Sequence, residues 1–195
     1  MGFHTFDPAN TERLEDPTRF RFCSREELLQ YLPREQEATV VDVGSGTGYY
    51  TDEIAPFVGR VVGFDLQSEM HLQYRDRGVP ENVELVTGEA GFLPFADGAV
   101  DGAFSTMTFH ETSTNESAAE LYRVLAPGAP LVVVDWSAAG DGRAGPPRAE
   151  RYDASMARER LSGTGFDIDH ATERTETFHL VARHPPNEDE QPRQD

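Results

Sequence analysis

Three glycines alternate with other residues in the stretch VDVGSGTGYY, and Asp42 lies two residues before the first of them. The glycines are Gly44, Gly46 and Gly48. Because glycine adopts backbone conformations that other residues avoid, such a loop lets the main chain approach a ligand closely. Between a strand and a helix, it places free backbone N–H groups beyond the carboxyl end of the strand. The pattern predicts a ligand site, and a glycine turn without a ligand is the alternative.

The residues around these glycines exclude one ligand and disfavour another. A phosphate-binding P-loop needs a lysine after its last glycine, and the chain contains no lysine. The dinucleotide fingerprint G-x-G-x-x-G would need a glycine at position 49, where the side chain of Tyr49 would obstruct a pyrophosphate. A NAD-dependent oxidoreductase is therefore kept only as an alternative.

A second acidic position follows the last glycine by 65 − 48 = 17 residues and ends the next predicted strand. This residue, Asp65, can accept hydrogen bonds from both hydroxyls of a ribose. Capping of the following helix, or pairing with an arginine, is the alternative interpretation. A further acidic residue, Glu89, follows the third predicted strand in the sequence GEA and could also be a solvated loop residue.

Five motifs in this order resemble those of class I S-adenosylmethionine-dependent methyltransferases, and the nearest subgroup resembles the small type-11 enzymes, of the general kind that includes quinone-biosynthesis enzymes. They are the glycine loop, Asp65, GEA at 88–90, LPFADGAVDGAFST at 93–106 and LYRVLAPGAPLVVVDW at 121–136. Ala126 and Ala129 replace the lysine and the second glycine that the family usually has in the last motif. The resemblance covers about residues 20–184.

The resemblance implies S-adenosylmethionine as cofactor. Asp65 would bind the ribose, Glu89 would accept from the adenine amino group, and Asp42 would hold the glycine loop, contact the methionine end, or do both. The family more often has aspartate where this chain has the longer Glu89. The full set of cofactor-binding residues expected from the resemblance is Asp42, Gly44, Ser45, Gly46, Gly48, Asp65, Leu66, Glu89, Ala90 and Thr106.

Strands and helices are expected to alternate. Strands are predicted at 39–43, 60–65, 83–87, 100–105, 131–135, 166–172 and 177–182, and helices at 24–32, 49–57, 68–77, 113–125 and 153–162. The alternation indicates an α/β fold with a doubly wound parallel sheet. The last two strands are joined by a turn too short for a crossover, so they should pair antiparallel. With the family's strand order, the expected fold is a Rossmann-like seven-stranded sheet of order 3-2-1-4-5-7-6, in which strand 7 is antiparallel.

The length of 195 residues suggests one domain. Residues 1–23 carry scattered aromatics and two prolines, and we expect an irregular arm that forms a partial lid. The methyltransferase-like domain should span 24–184, with a flexible connector at 138–149. The acidic tail 185–195 is too polar to pack and is expected to be disordered.

The charge balance is unusual, because 17 basic and 35 acidic residues give a net charge of −18 and every basic residue is an arginine. Such a composition is typical of proteins from salt-loving cells. At low salt it would repel nucleic acid, so nucleic acid is an unlikely partner. There is no apolar run long enough to span a membrane and no secretory leader pattern, and the single Cys23 fits a reducing compartment. The sequence therefore predicts a cytoplasmic location.

The residues after the fourth strand are candidates for the chemistry, because that loop should face the methyl group. His110 is the candidate general base, and packing against the cofactor or the arm is the alternative. No cluster has metal-ligand spacing, and no metal is expected. Ser105 to Thr108 lack the Pro-Pro-aromatic motif of enzymes that methylate nucleic-acid amino groups. A small, partly apolar acceptor is predicted, with the arm helping to form its pocket. A non-catalytic cofactor-binding module remains the second alternative.

Overall fold

The computed structural model describes residues 6–187. A seven-stranded sheet forms the centre of the fold, with the order β3-β2-β1-β4-β5-β7-β6. The strands are β1 (Thr39–Val43), β2 (Arg60–Asp65), β3 (Val83–Thr87), β4 (Gly102–Thr106), β5 (Pro130–Trp136), β6 (Asp167–Glu173) and β7 (Thr177–Arg183). Strand β7 pairs antiparallel with both β5 and β6, and the other pairs are parallel. The predicted fold class, strand order and antiparallel strand are confirmed.

Helices cover both faces of the sheet. They are α1 (Arg25–Leu29), α2 (Tyr49–Ile54), α3 (Ser68–Arg77), α4 (Phe109–Thr112), α5 (Asn115–Val124) and α6 (Ala154–Thr164). One apolar cluster joins the sheet to α5 and α6 through residues such as Leu121 and Leu161, and a second joins it to α1, α2 and α3 through Leu28, Ile54 and Tyr74. Because helices cover both faces of the sheet, its strands are buried and their positions are well defined. The loops at the carboxyl edge begin at the ends of these strands.

Local signals set most of the boundaries. A capping box begins α1, because Ser24 and Glu27 exchange side-chain and backbone hydrogen bonds. Asp153 caps α6 by accepting from the Met156 N–H at 2.8 Å. The cap of α5 is Thr114, which pairs with Ser117, so the helix begins later than the predicted start at residue 113.

Other boundaries also differ from the sequence prediction, and α1 ends at Leu29 and not at residue 32. Strand β4 begins at Gly102, because Val100 makes only an isolated bridge to Leu125. The helix predicted over 49–57 divides into α2 and a short 3-10 turn at Ala55–Phe57, which contains Pro56.

The N-terminal arm is built from two short 3-10 turns, Pro8–Arg13 and Pro17–Arg21. Each begins with a proline and is capped by the preceding aspartate, Asp7 or Asp16. Aspartate accepts from the backbone of such a turn, and proline fixes its first φ angle, so the sequence dictates both turns locally. The prediction for residues 1–5, and for 188–195 of the tail, lies outside the described residues. Within the described range 6–187, no helix is long and apolar enough to cross a membrane.

Candidate active site

A cavity of about 1040 Å³ lies at the carboxyl edge of the sheet, next to the parallel strands β1 and β4, whose following helices α2 and α5 pack on opposite faces of the sheet. Open α/β sheets bind ligands at this place, because the loops on the two sides diverge there. All of the predicted site residues except Asp42 and Gly48 line the cavity. Asp42 is buried in β1 just before the glycine loop, and Gly48 is the last glycine of the loop, where α2 begins.

The glycine loop needs glycine at two positions for steric reasons. Gly44 and Gly48 have φ angles of +80° and +89°. A Cβ at Gly44 would lie 2.2 Å from the Thr108 side chain, and one at Gly48 would lie 2.1 Å from the Tyr74 ring. The loop therefore packs with its backbone against two neighbouring elements, and its N–H groups are set at fixed positions.

Asp65 at the end of β2 is hydrogen-bonded to the backbone of the glycine loop. One carboxylate oxygen accepts from the Gly46 N–H at 2.8 Å, and the other accepts from the Gln67 N–H at 2.8 Å. Each carboxylate oxygen has a second lone pair, so Asp65 can still accept from two hydroxyl groups in the cavity. The residue is half-buried and lines the cavity.

Asp42 is fully buried under the same loop. Its Oδ2 accepts from the Thr51 hydroxyl at 2.6 Å, which joins β1 to α2, whereas its Oδ1 has no hydrogen-bond partner among the described residues. Burial, and then the nearby charge of Asp65, raises the pKa of Asp42 to about 7. A buried carboxylate oxygen without a donor is costly, so this atom is a place where a donor from outside the protein would be stabilising.

The other end of the cavity carries the remaining predicted cofactor residues. Glu89 is exposed and points into the open side, next to Ala90. Two large apolar side chains that line the cavity, Leu66 and Phe92, are 55% and 76% exposed. Apolar side chains with this exposure at a cavity rim are typical of a ligand-binding surface. Phe92 was not among the residues expected from the sequence.

His110 on α4 is buried against Asp135 on β5. Its Nδ1 lies 3.0 and 2.9 Å from the two carboxylate oxygens of Asp135, and its backbone N–H donates to the same carboxylate at 2.5 Å. Its Nε2 lies 3.6 Å from an oxygen of Glu111. Burial opposes protonation of the ring, but the charges of Asp135 and Glu111 outweigh it and raise the pKa of His110 above its ordinary value.

Glu111 is the third member of this cluster. Burial raises its pKa to about 7, so the carboxyl group titrates close to neutral pH. The cluster lies beside Met107, whose φ of +59° is the one positive value for a non-glycine residue within 6–187. Titratable groups with shifted pKa values in a cavity are candidates for proton transfer. No group of three or more acidic, histidine or cysteine side chains in residues 6–187 is arranged to hold a metal ion.

A second histidine, His71 on α3, supports the glycine loop from behind. Its Nε2 lies 3.3 Å from the Ser45 hydroxyl, and its Nδ1 lies 2.9 Å from the Thr87 hydroxyl at the end of β3. Burial lowers the pKa of His71, which favours the neutral ring. The ring bridges two strand ends as a hydrogen-bonding group. No sequence pattern pointed to this residue.

The arm contacts the cofactor side of the cavity as well as the acceptor side. The Gln67 side chain donates to the Phe6 carbonyl at 3.0 Å, Gln73 donates to the Pro8 carbonyl at 3.0 Å, and Glu15 accepts from the Thr47 hydroxyl of the glycine loop. The sequence analysis assigned the arm to the acceptor pocket. These contacts indicate that its removal would disturb the glycine loop too.

The connector predicted as flexible is held by Arg151, which is buried and donates to the carbonyl groups of Ser137, Ala144 and Pro146. Gly145 lies so close to the Trp136 ring that a Cβ would be 2.4 Å from it. The connector therefore forms a fixed wall of the cavity.

The sheet order, the glycine loop at the switch point and the acidic residue at the end of β2 define a Rossmann-like protein with a nucleoside-type site. A methyltransferase-domain family model matches residues 41–133. A crystal structure of an S-adenosylmethionine-dependent methyltransferase from Aquifex aeolicus is 31% identical, covers 92% of this chain and 99% of its own, and has a TM-score of 0.82. The chain belongs to the S-adenosylmethionine-dependent methyltransferases.

Curated relatives match over part of their length. The ubiquinone/menaquinone biosynthesis C-methyltransferase of Klebsiella pneumoniae is 35% identical over 107 residues, which are 51% of this chain and 43% of the relative. The 24-methylenesterol C-methyltransferase 2 of Arabidopsis thaliana is 32% identical over 142 residues, 70% of this chain and 38% of the relative. The chain thus spans less than half the length of these relatives.

Proposed function

We propose that the chain transfers the methyl group of S-adenosylmethionine to a small, partly apolar acceptor that carries an ionisable hydroxyl group. The observation that carries the acceptor part of this proposal is the buried pair of His110 and Asp135 at the cavity, beside aromatic walls. A base is needed only when the acceptor must lose a proton, so a built base indicates the kind of acceptor.

The nucleoside end of the cofactor fits the residues of β2 and β3. Asp65 has lone pairs left for two ribose hydroxyls, Glu89 and Ala90 offer polar groups for the edge of an adenine, and Leu66 and Phe92 offer apolar surface for its faces. Tyr49 lines the cavity beside the glycine loop, where a pyrophosphate would have to lie, and this favours the methyl donor over NAD.

The methionine end fits the residues of β1 and β4. Asp42 has a buried oxygen that lacks a donor, and an ammonium group, acting directly or through a water molecule, supplies a donor of the required charge. Thr106 at the end of β4 lines the cavity next to Gly44. The two acidic groups on either side of the loop favour a ligand with a positive charge.

S-adenosylmethionine supplies a methyl group that is activated on a sulfonium, so alignment of the acceptor is the main task of the protein. Thr108 packs against Gly44 and donates to its carbonyl at 3.3 Å, which fixes the loop after β4 to the loop after β1. His110 follows directly. Asp135 holds the Nδ1 side of the ring, and the Nε2 side is left to accept a proton from the acceptor.

The rest of the cavity has an apolar, aromatic lining suited to the body of the acceptor. Phe22 of the arm packs edge-on against Trp136 with ring centroids 4.8 Å apart, and Phe6, Met107 and Pro146 also line the space. The names of the two curated relatives above refer to quinone biosynthesis and to a sterol. Both names agree with an acceptor that has an apolar body, and a hydroquinone also has the ionisable hydroxyl.

The test is methyl transfer from labelled S-adenosylmethionine to a series of phenols and hydroquinones whose hydroxyl groups differ in acidity. Replacement of His110 by glutamine should lower the rate by about 10²–10⁴ for weakly acidic acceptors. The loss should shrink for acceptors that are already ionised at the assay pH. Binding of the cofactor should be unchanged. His170→Ala on the edge strand β6 is the control, because that histidine lies outside the cavity.

Asp135→Asn adds a second readout. Because the Asp135 carboxylate raises the pKa of His110, its removal should lower that pKa and move the rising limb of the pH–rate profile to lower pH. A His110 loss that is the same for every acceptor, or no loss, would contradict the base assignment. Cofactor binding without turnover of any acceptor would favour the non-catalytic alternative.

A further inference from the structure

The proposed chemistry does not use the arginines that line the cavity, and one of them is buried among aromatic rings. Arg19 of the arm lines the cavity, and its Nε is buried without a hydrogen-bond partner. Its guanidinium carbon lies 5.6 Å from the ring centre of Tyr49 and 5.4 Å from that of Tyr50. Within residues 6–187, this guanidinium forms no ion pair, whereas Arg174 pairs with Glu27 and Arg151 donates to backbone carbonyl groups.

The stacking holds the guanidinium in place without neutralising it. Burial lowers the pKa of Arg19, and the carboxylate that acts most strongly against this effect is Asp42. A partly desolvated guanidinium that forms no ion pair is a receptor for a planar anion, because its donors match a carboxylate in a bidentate arrangement.

The position of Arg19 identifies which anion this would be. It stands over the first two residues of α2, immediately after Gly48, and acts electrostatically on Asp42 of β1. The proposed ribose and adenine contacts, Asp65 and Glu89, follow β2 and β3, whereas Phe22, close to Arg19 in the arm, packs on Trp136 of β5. The end of the cofactor that lies away from the nucleoside is the amino-acid end, which carries a carboxylate beside its ammonium group.

We propose that Arg19 binds the α-carboxylate of the methionine moiety of S-adenosylmethionine, so that the arm completes the cofactor site. The Asp42 carboxylate and the Arg19 guanidinium would then recognise the two opposite charges of one amino-acid group. The proposal rests on the cofactor and is independent of the identity of the acceptor. The Tyr50 hydroxyl, which donates to the Arg19 carbonyl at 3.2 Å and to the Cys23 carbonyl at 3.0 Å, keeps this part of the arm on α2.

The experiment compares S-adenosylmethionine with decarboxylated S-adenosylmethionine, which keeps the sulfonium and the amine but lacks the carboxylate. Both are titrated calorimetrically into the full-length chain and into Arg19→Gln, Arg19→Lys and Arg21→Ala variants. Arg21 is the matched control, because it lies on the same 3-10 turn, stacks on Phe22 and does not line the cavity.

We expect Arg19→Gln to weaken S-adenosylmethionine binding about 10- to 100-fold, in the range for hydrogen bonds to a charged group. Binding of the decarboxylated analogue should change less than about threefold, Arg19→Lys should retain part of the affinity, and Arg21→Ala should resemble the wild type. Equal losses for both ligands would overturn the proposal and assign Arg19 to shaping the arm. Undiminished S-adenosylmethionine binding by Arg19→Gln would also overturn the proposal. If that variant then bound an anionic acceptor more weakly, Arg19 would belong to the acceptor side of the cavity. No binding of either ligand by the wild-type chain would contradict the cofactor assignment itself.

Discussion

The burial of Asp42 opposes folding stability. The residue is 1% exposed, and only one of its oxygens has a hydrogen-bond partner among the described residues. The folded state raises its pKa from 3.8 to about 7, which means that the folded chain binds the proton more tightly than the unfolded chain does. The free energy of unfolding therefore falls as the pH rises from 3.8 to about 7, because Asp42 must ionise in a buried position. Above about pH 7 the full cost of the buried charge applies.

The cost of ionising Asp42 in the folded state follows from its pKa values in the unfolded and folded chain. The difference between these two pKa values corresponds to at most about 4 kcal/mol of lost stability above pH 7. Asp42→Asn removes the charge and keeps an oxygen that can accept from Thr51. Because the new amide group also lacks a partner at the Oδ1 position, we expect a net gain of about 2 kcal/mol at pH 8. For a chain of this length, the melting temperature should rise by about 4–8 °C.

The assay is thermal unfolding of the cofactor-free protein at pH 5 and pH 8 in the same salt. The gain should shrink at pH 5, because the wild-type Asp42 is then largely protonated. Asp76→Asn, at an exposed position on α3, controls for the change in net charge. The same Asp42 variant should bind S-adenosylmethionine more weakly, since it has lost the carboxylate proposed to face the ammonium. A variant that is less stable at pH 8, or equally stabilised at both pH values, would refute this reasoning.

Two further outcomes are expected. Gly48→Ala should destabilise the chain by about 1–3 kcal/mol and weaken cofactor binding, because its φ is +89° and the new Cβ would meet the Tyr74 ring. Denaturant melts measure the change in stability, and they should show little change for the control Gly163→Ala, where a Cβ meets nothing within 4 Å. Thermal melts in a KCl series should show a midpoint that rises with salt, because the net charge of −18 is then screened, and a flat or falling midpoint would refute the salt-dependence expected from the composition.

The parts of the site that follow the strands could be predicted from the sequence. The glycine loop, Asp65 and Glu89 each occur next to a strand that is recognisable by its apolar run, so their approach in space follows from the parallel sheet. The strand order came from the resemblance to a known family. Only the antiparallel direction of β7 came from the short turn before it.

The residues that the sequence did not reveal depend on contacts between distant elements. Asp135 ends an apolar strand, and nothing local shows that it meets His110, which lies 25 residues earlier. Arg19 lies in an arm without helical or strand periodicity. The position of its guanidinium depends on stacking against two tyrosines that follow about 30 residues later. The connector looked flexible because it is rich in glycine and proline, yet Arg151 binds its carbonyl groups from a position at its end. Such pairings are fixed by tertiary packing and leave no periodic signal.

The central claim is that one cofactor lies across the glycine loop, with its nucleoside over Asp65 and its reacting sulfur toward His110. A crystal structure of the chain with S-adenosylhomocysteine tests this most directly. We expect the ribose hydroxyls on Asp65, the carboxylate on Arg19 and the sulfur facing the space bounded by Met107 and His110. A ligand with its ribose away from Asp65, or with its sulfur on the side of the cavity opposite His110, would contradict the account.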